Sequence, residues 1–533
     1  MKKTHLLFCS IILIVFIANG SCISKDKKHQ AKNGDLHLSG AINQHSNLPF
    51  DSNLLITFYR SYPALNKYQK DVVEVYRQHH YNYIWYDKGG VVEFGQTLFN
   101  KVTELTVEGV SLKFPYQEKI DDVFDNEKEN TLSQTETELM LTNLYLFYAK
   151  NVYKGISEDS TKAIGWLLPR KQISYTALLD SVMSDPELLI RDDSVLFSQY
   201  YKLRDILKRY LAIEKNGGWG LVDLDPKLKA YKPGDTAKAI RQIRKRLFIT
   251  GDIKQNTESN KYDPELVEAV IKYQERNGFE PGKLILAKHI REMNVPIEER
   301  IRTIIVNMER CRWISPEFAR AKEYVVINIP SFKLNLIRNG KNEFESPVIV
   351  GKNVTKTVIF SGMLRYIVFS PYWNLPQSII NKEVKPGMAK NKHYLEAHNM
   401  EWNNGQVRQK PGKNNSLGLV KFMFPNSDDI YIHDTPAKSL FAKESRAFSH
   451  GCIRMERARD FAIELLKDDP NWTPVKIDAA MHSGKESAYS LKNKIPVYIG
   501  YLTAWVDPRG EINFYKDIYK MDERLADLLI GKK

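Results

Sequence analysis

At 533 residues the chain is too long for one ordinary core, and roughly two to four domains are expected. Hydrophobic residues at 43% and charged residues at 27% describe a folded globular protein and exclude extensive low-complexity disorder. A net charge of +14 admits nucleic acid, an anionic membrane or an acidic polymer as partner, and does not choose among them.

The first residues narrow that choice. Lys2-Lys3, the apolar run Leu6 to Ala18 and the small residues before Cys22 form the basic start, apolar centre and cleavage region of an export signal over residues 1–22. The run is shorter than the ~20 residues that a comfortable membrane span requires. An exported chain has no nucleic acid to meet, so that partner is set aside. Cys22 after Gly20-Ser21 resembles the lipidated cysteine of a bacterial lipoprotein, which would attach the chain to a membrane; Asn19 departs from the usual aliphatic residue, and simple cleavage stands beside lipidation. The expected location is the periplasm or cell envelope. Only four cysteines exist, Cys9, Cys22, Cys311 and Cys452, too few for a disulfide framework and without Cys/His metal-site spacing.

Residues 23–47 are polar and read as a tether. From Leu54 the apolar residues take helical spacing, as in Leu54, Phe58 and Tyr62, then Val72 and Tyr76, then Phe94, Leu98 and Val102. Thr135 to Tyr153 is the strongest helix, with Leu141, Leu144, Tyr148 and Val152 on one broad face and acidic residues near its start. Residues 48–229 are thus a helical scaffold domain whose aromatics are core, ended by the breaker Gly217-Gly218-Trp219-Gly220. No catalytic constellation occurs before residue 230.

Residues 230–295 follow as three short helices. The first bears Ile240, Ile243 and Leu247, the second runs from Asp263-Pro264 to Asn277-Gly278, and the third holds Ile285 to Met293. This layout, with Gln274 in AVIKYQERNGFEPG, resembles the small peptidoglycan-binding module attached to many cell-wall enzymes. A linker helix over 296–322 comes next; its Cys311 reads as an apolar filler.

From Glu323 the period switches toward two. Tyr324 to Ile329 and Lys333 to Ile337 read as strands, Asn339-Gly340 as a hairpin turn, and Glu345 to Val350, Tyr366 to Phe369 and Ile430 to His433 as further strands. The fold class is therefore α+β multidomain, with a β-rich domain over 323–525 built as a mixed sheet folded on itself. Residues 379–406, with Lys390, Lys392, His393 and His398, lose the strand pattern and read as an inserted lid. Ile495 to Tyr501 and Thr503 to Asp507 read as closing strands of the same domain.

Chemistry concentrates at Tyr431 to Glu456. A thiol is mostly protonated at neutral pH, so a nucleophilic cysteine needs a base or a positive setting. His433 stands at a strand end 19 residues before Cys452. Arg454 to Lys467 reads as a helix whose dipole would favour the thiolate, and the Gly451 and Cys452 amides are placed for an oxyanion. Ser449-His450-Gly451-Cys452-Ile453-Arg454 with His433-Asp434-Thr435-Pro436 upstream resembles the L,D-transpeptidase (YkuD-like) catalytic domain. Pro371-Tyr372-Trp373-Asn374-Leu375-Pro376, Arg408 to Gly412 and Leu417-Gly418 extend the likeness to the large YcbB-like branch, which joins a scaffold, a peptidoglycan-binding module and a capped catalytic domain.

That resemblance implies acyl transfer through Cys452 with His433 as proton shuttle. The donor would be a peptidoglycan tetrapeptide stem that loses D-alanine, and the acceptor a diaminopimelate amine, giving 3→3 cross-links without a cofactor. Asp434, next to His433 on a strand, points to the other face and is not expected to orient the imidazole, a task a backbone carbonyl could take instead. His450 either contacts the oxyanion or shapes the turn. Tyr372, Trp373, Phe448 and Arg454 are candidates to line the substrate cleft, with core packing or an ion pair as the alternative. Two other readings of function stand beside this one: an L,D-carboxypeptidase that trims stems, and a wall-binding scaffold without catalysis.

Overall fold

The computed structural model describes residues 48–533 except 88–89, 126, 128–129, 190–194 and 532–533. The expected export signal, Cys22 and the tether lie outside the described residues. The helix Gln134–Tyr148 is the axis of the scaffold, and residues 137–148 are all buried, so helices pack on every side of it and not on one face alone. Its start is a capping box: Ser133 accepts from the Glu136 amide, and the Glu136 carboxylate accepts the Ser133 N–H.

Three further helices, Lys238–Thr250, Pro264–Arg276 and Ala287–Met293, enclose their own apolar core of Ile240, Ile243, Leu247, Val270, Tyr273 and Ile290. That core reaches back to Val222, ahead of the expected boundary at 230. Gln274 is fully buried: its amide donates to the Leu284 carbonyl at 2.9 Å and accepts the Gly282 N–H at 2.7 Å, which makes it a brace inside the module.

The linker helix Ile297–Trp313 is buried on most of its surface. Glu309 accepts from the Ile156 amide at 2.7 Å and the Trp313 indole at 2.8 Å and pairs with Arg312 at 2.7 Å; Arg312 in turn donates to the Val152 carbonyl. Cys311 is a free thiol in the helical core, pushed up to about 12 by burial, and is inert filler as its sequence context implied.

The β-rich domain contains β1 (Glu323–Asn328), β2 (Lys333–Arg338), β3 (Lys341–Gly351), β4 (Ser361–Phe369), β5 (Trp373–Asn374), β6 (Met400–Asn403), β7 (Gln406–Gln409), β8 (Val420–Met423), β9 (Ile432–His433), β10 (Ala447–Ser449), β11 (Ile453–Met455) and β12 (Ser487–Gly500). Asn339 and Gly340 both take positive φ (49° and 76°), the two-residue turn that joins β2 to β3. Pairing runs β3–β11–β9–β8–β4–β12–β1–β2 and returns to β3, so eight strands close on themselves, with β10 added beside β3. Closure leaves no free edge among the eight.

Closure also displaces the chain end from its expected place. Both sides of β12 are occupied, by β1 and β4, so β13 (Ala504–Val506) and β14 (Ile512–Phe514) form a separate hairpin in the helical scaffold core. Gln199 of the scaffold exchanges two hydrogen bonds with the Val506 backbone, at 2.9 and 3.0 Å. These residues are not closing strands of the β-rich domain. The expected lid is likewise more than loop: β5, β7 and β6 form a three-stranded sheet over a small core of Leu375, Ile380, Val384 and Val407.

Candidate active site

The site grows from one parallel pairing. Ile432 faces Ile453 and His433 faces Arg454 across β9 and β11. Ile432 and Ile453 are fully buried in the apolar core, so alternation sends Tyr431, His433, Cys452 and Arg454 to the opposite face together. The Ile453 N–H donates to the Tyr431 carbonyl at 3.0 Å, continuing the register to the turn that carries Cys452. A 19-residue separation in sequence becomes adjacency because the two strands are neighbours.

His433 is buried, and its Nδ1 lies 2.6 Å from the Asp434 carbonyl oxygen. Nδ1 therefore carries the proton and donates it, which leaves Nε2 as the basic atom. Burial first, and the Arg454 cation second, depress this histidine to about 4. The imidazole is neutral at physiological pH. The Asp434 carboxylate points elsewhere: it accepts from the Leu419 amide at 3.0 Å and pairs with Lys438 at 2.7 Å. A backbone carbonyl, not a carboxylate, orients the base.

The Cys452 thiol donates to the Asp429 carbonyl at 3.6 Å. Burial raises it above the ordinary thiol range; the Tyr431 N–H and hydroxyl oppose that, as does Arg454 more weakly. Among the described residues no hydrogen bond joins Sγ to His433, so the pair rests as neutral thiol and neutral imidazole. The expected helix-dipole contribution is absent. Residues 453–455 form β11 with alternating burial, and the helix begins only at Ala458. Ile453 and Met455 two apart favour a strand over the predicted helical start.

The turn itself is tightly held. The Gly451 N–H donates to Ser449 Oγ at 3.1 Å, and that hydroxyl donates to the Cys452 carbonyl at 2.6 Å. The Gly451 amide expected for the oxyanion is thus already engaged by Ser449. Gly451 earns its place through φ +124°, which a side chain would strain. His450 is exposed at the tip of the turn and Phe448 half-buried on β10.

Arg454 is half-buried, makes no ion pair among the described residues and leaves Nε buried without a partner. The ion-pair alternative for this residue does not hold. Trp373 and Cys452 both act on the Tyr431 hydroxyl, which burial, foremost, and the neighbouring thiol push well above the ordinary phenol range. The insertion therefore reaches the neighbourhood of Tyr431 and Cys452 through β5. Tyr372, its neighbour, is turned away: Arg408 covers its ring at 4.0 Å and is itself paired with Glu401 at 2.7 Å. Tyr431 is the site residue that sequence reasoning passed over. Its position two before His433 on a strand was the available signal.

Residues 322–477 match the family model of the L,D-transpeptidase (YkuD) catalytic domain, and residues 70–207 match a scaffold-domain model. The chain carries an L,D-transpeptidase catalytic domain joined to a scaffold domain. A Haemophilus influenzae protein named as a candidate L,D-transpeptidase is 34% identical over 243 residues, 42% of this chain and 48% of that protein. The chain thus spans about half the length of that curated relative. Among solved structures, an L,D-transpeptidase of Mycobacterium smegmatis matches at 12% identity over 34% of this chain and 58% of that one, with TM-score 0.20. One from Stackebrandtia nassauensis matches at 14% identity over 52% and 95%, with TM-score 0.21. At those scores the fold rests on the strand pairings described above, not on superposition.

Proposed function

We propose that the chain is an exported L,D-transpeptidase that forms 3→3 cross-links between peptidoglycan stems. The observation that carries this reading is the single strand face bearing Cys452, His433, Tyr431 and the unpaired Arg454. Neutral thiol and neutral imidazole are the states from which a base-assisted attack starts.

Arg454, an unpaired cation beside the nucleophile, holds a carboxylate of the donor stem. The thiol turns from Asp429 toward Nε2 of His433 and transfers its proton there as Sγ attacks the carbonyl carbon of diaminopimelate. The oxyanion is met by the Cys452 N–H. Collapse breaks the C–N bond to D-alanine, and the imidazolium returns its proton to that amine. The thioester is then attacked by the side-chain amine of diaminopimelate on a second stem, His433 takes the amine proton, and Cys452 leaves as thiol. Trp373 and Tyr431 form a wall beside the reacting sulfur. A peptidoglycan substrate and the export signal read from residues 1–22 both support a location in the cell envelope; attachment through Cys22 belongs to the same reading.

Incubation of a purified disaccharide-tetrapeptide with the enzyme tests the proposal by mass spectrometry. The expected products are a 3→3 dimer and free D-alanine, with a thioester mass on Cys452 and the same residue acylated by a carbapenem. Tripeptide without dimer would assign carboxypeptidase trimming instead. Undiminished turnover by a Cys452→Ala variant would overturn both.

A further inference from the structure

We propose that Thr357, oriented by Tyr519, is the positioning residue that aims the Cys452 amide at the oxyanion. The proposal rests on the acyl-transfer reading of Cys452 and adds two residues that no motif around the cysteine contains.

Proton counting fixes the direction of every bond in this group. Thr357 Oγ1 accepts the Gly351 N–H at 2.9 Å, so its one proton is free to go to the Gly451 carbonyl, 2.7 Å away. The Tyr519 hydroxyl accepts the Thr357 N–H at 3.1 Å and donates its own proton to the Gly351 carbonyl at 2.7 Å. Both side chains are buried, with Thr357 1% and Tyr519 2% exposed, so water does not compete for these bonds. Gly351 permits the close approach: a Cβ there would lie 2.0 Å from the Thr355 carbonyl oxygen and 2.7 Å from the Thr357 nitrogen.

In a trans peptide the carbonyl and the following N–H point to opposite sides. By holding the Gly451 carbonyl, Thr357 turns the Cys452 N–H away from the buried layer. Ser449 occupies the Gly451 N–H and the Cys452 carbonyl. Of the backbone groups of these two residues, only the Cys452 N–H is left without an acceptor among the described residues. An unpaired amide beside Sγ is the geometry an oxyanion donor requires, and a donor held in place before the reaction needs no reorganisation during it. Tyr519 lies 67 residues beyond Cys452 in the chain and is tied through its N–H to Tyr501 at 2.9 Å, which links the C-terminal segment to the aim of the amide.

The test compares two reactions of the same thiol. Acylation by a carbapenem builds an oxyanion; alkylation by iodoacetamide, a displacement at a saturated carbon, does not. In Thr357→Val the acylation rate is expected to fall roughly 10- to 100-fold, below the cost of deleting a donor outright, while alkylation stays within about 3-fold of the parent. Thr357→Ser, which keeps the hydroxyl, is expected to restore acylation, and Tyr519→Phe to lose part of it with alkylation unchanged. Equal losses in both reactions, or parent-like acylation in Thr357→Val, would overturn the proposal. If Thr357→Val does not fold, Tyr519→Phe and Thr357→Ser decide by the same comparison. A parent enzyme that alkylates at Cys452 yet is acylated by neither carbapenem nor stem peptide defeats the functional reading itself, a result distinct from all of these.

Discussion

His433, the proposed base, titrates far below an ordinary histidine, and in the proposed acyl transfer this sets the acid limit. Attack by Cys452 requires a neutral imidazole, so single-turnover acylation should hold down to mildly acidic pH and fall with a midpoint near 4, against about 6.5 for an unperturbed histidine. Replacing Arg454 with Met removes the second cause of that depression. Neighbouring strands lie about 4.8 Å apart, and charges at the ends of side chains that share one face of such a pair are on the order of 7 Å apart. At an effective dielectric of about 20 the interaction is ~2.4 kcal/mol, and solvent around the half-exposed Arg454 reduces it to about 1 kcal/mol. The midpoint in Arg454→Met should therefore rise by a little under one pH unit, since one unit corresponds to about 1.4 kcal/mol. The midpoint is read from the shape of the profile, so weaker substrate binding by the variant changes its height and not its position. A parent midpoint at 6.5 or above, or a downward move in the variant, would refute the electrostatic account. The same depression couples to stability with a definite sign. Below pH 6.5 the unfolded chain takes up a proton that folded His433 refuses until about 4, so this contribution is complete above 6.5 and is lost as pH falls through that window.

Three other outcomes follow from the site and its frame. Because burial holds the Cys452 thiol above the ordinary range, its alkylation rate should go on rising past pH 8.5; a plateau below pH 7 would mean a resting thiolate. Gly451→Ala meets no close atom, the nearest being 3.8 Å away, so its cost is the strained φ alone, about 1–3 kcal/mol by denaturant titration, and unchanged stability would contradict the backbone assignment. Glu309→Ala strands the buried Arg312 guanidinium and frees the Ile156 and Trp313 donors, for a loss of about 3–5 kcal/mol; a melting temperature equal to the parent's would show that the linker helix does not depend on this pair.

Much of this protein is written locally. The Asn339-Gly340 turn, the Asp263-Pro264 helix start and the Ser133 capping box act over a few residues, and each is where its local chemistry puts it. The Ser449–Cys452 turn was legible for the same reason, since Ser449, Gly451 and Cys452 are bonded to one another. The strand parity that separates Asp434 from His433 likewise needs only the local period. What local pattern could not carry is partnership across the chain. Whether 453–455 is a strand or the first turn of a helix depends on β9 and β3 being there to pair with it. Trp373 and Tyr372 are adjacent and similar, and only the docking of β5 sends one to Tyr431 and the other beneath Arg408. The hairpin β13–β14 reads as one more strand pair, yet a closed set of eight strands had no edge to offer it, and the scaffold core took it instead. By itself the sequence determined the helical and β-rich halves and singled out Cys452 and His433 as the proposed reacting pair. The tertiary structure alone decided which amide, which cation and which aromatic ring stand beside them, because those contacts join residues tens to hundreds of positions apart.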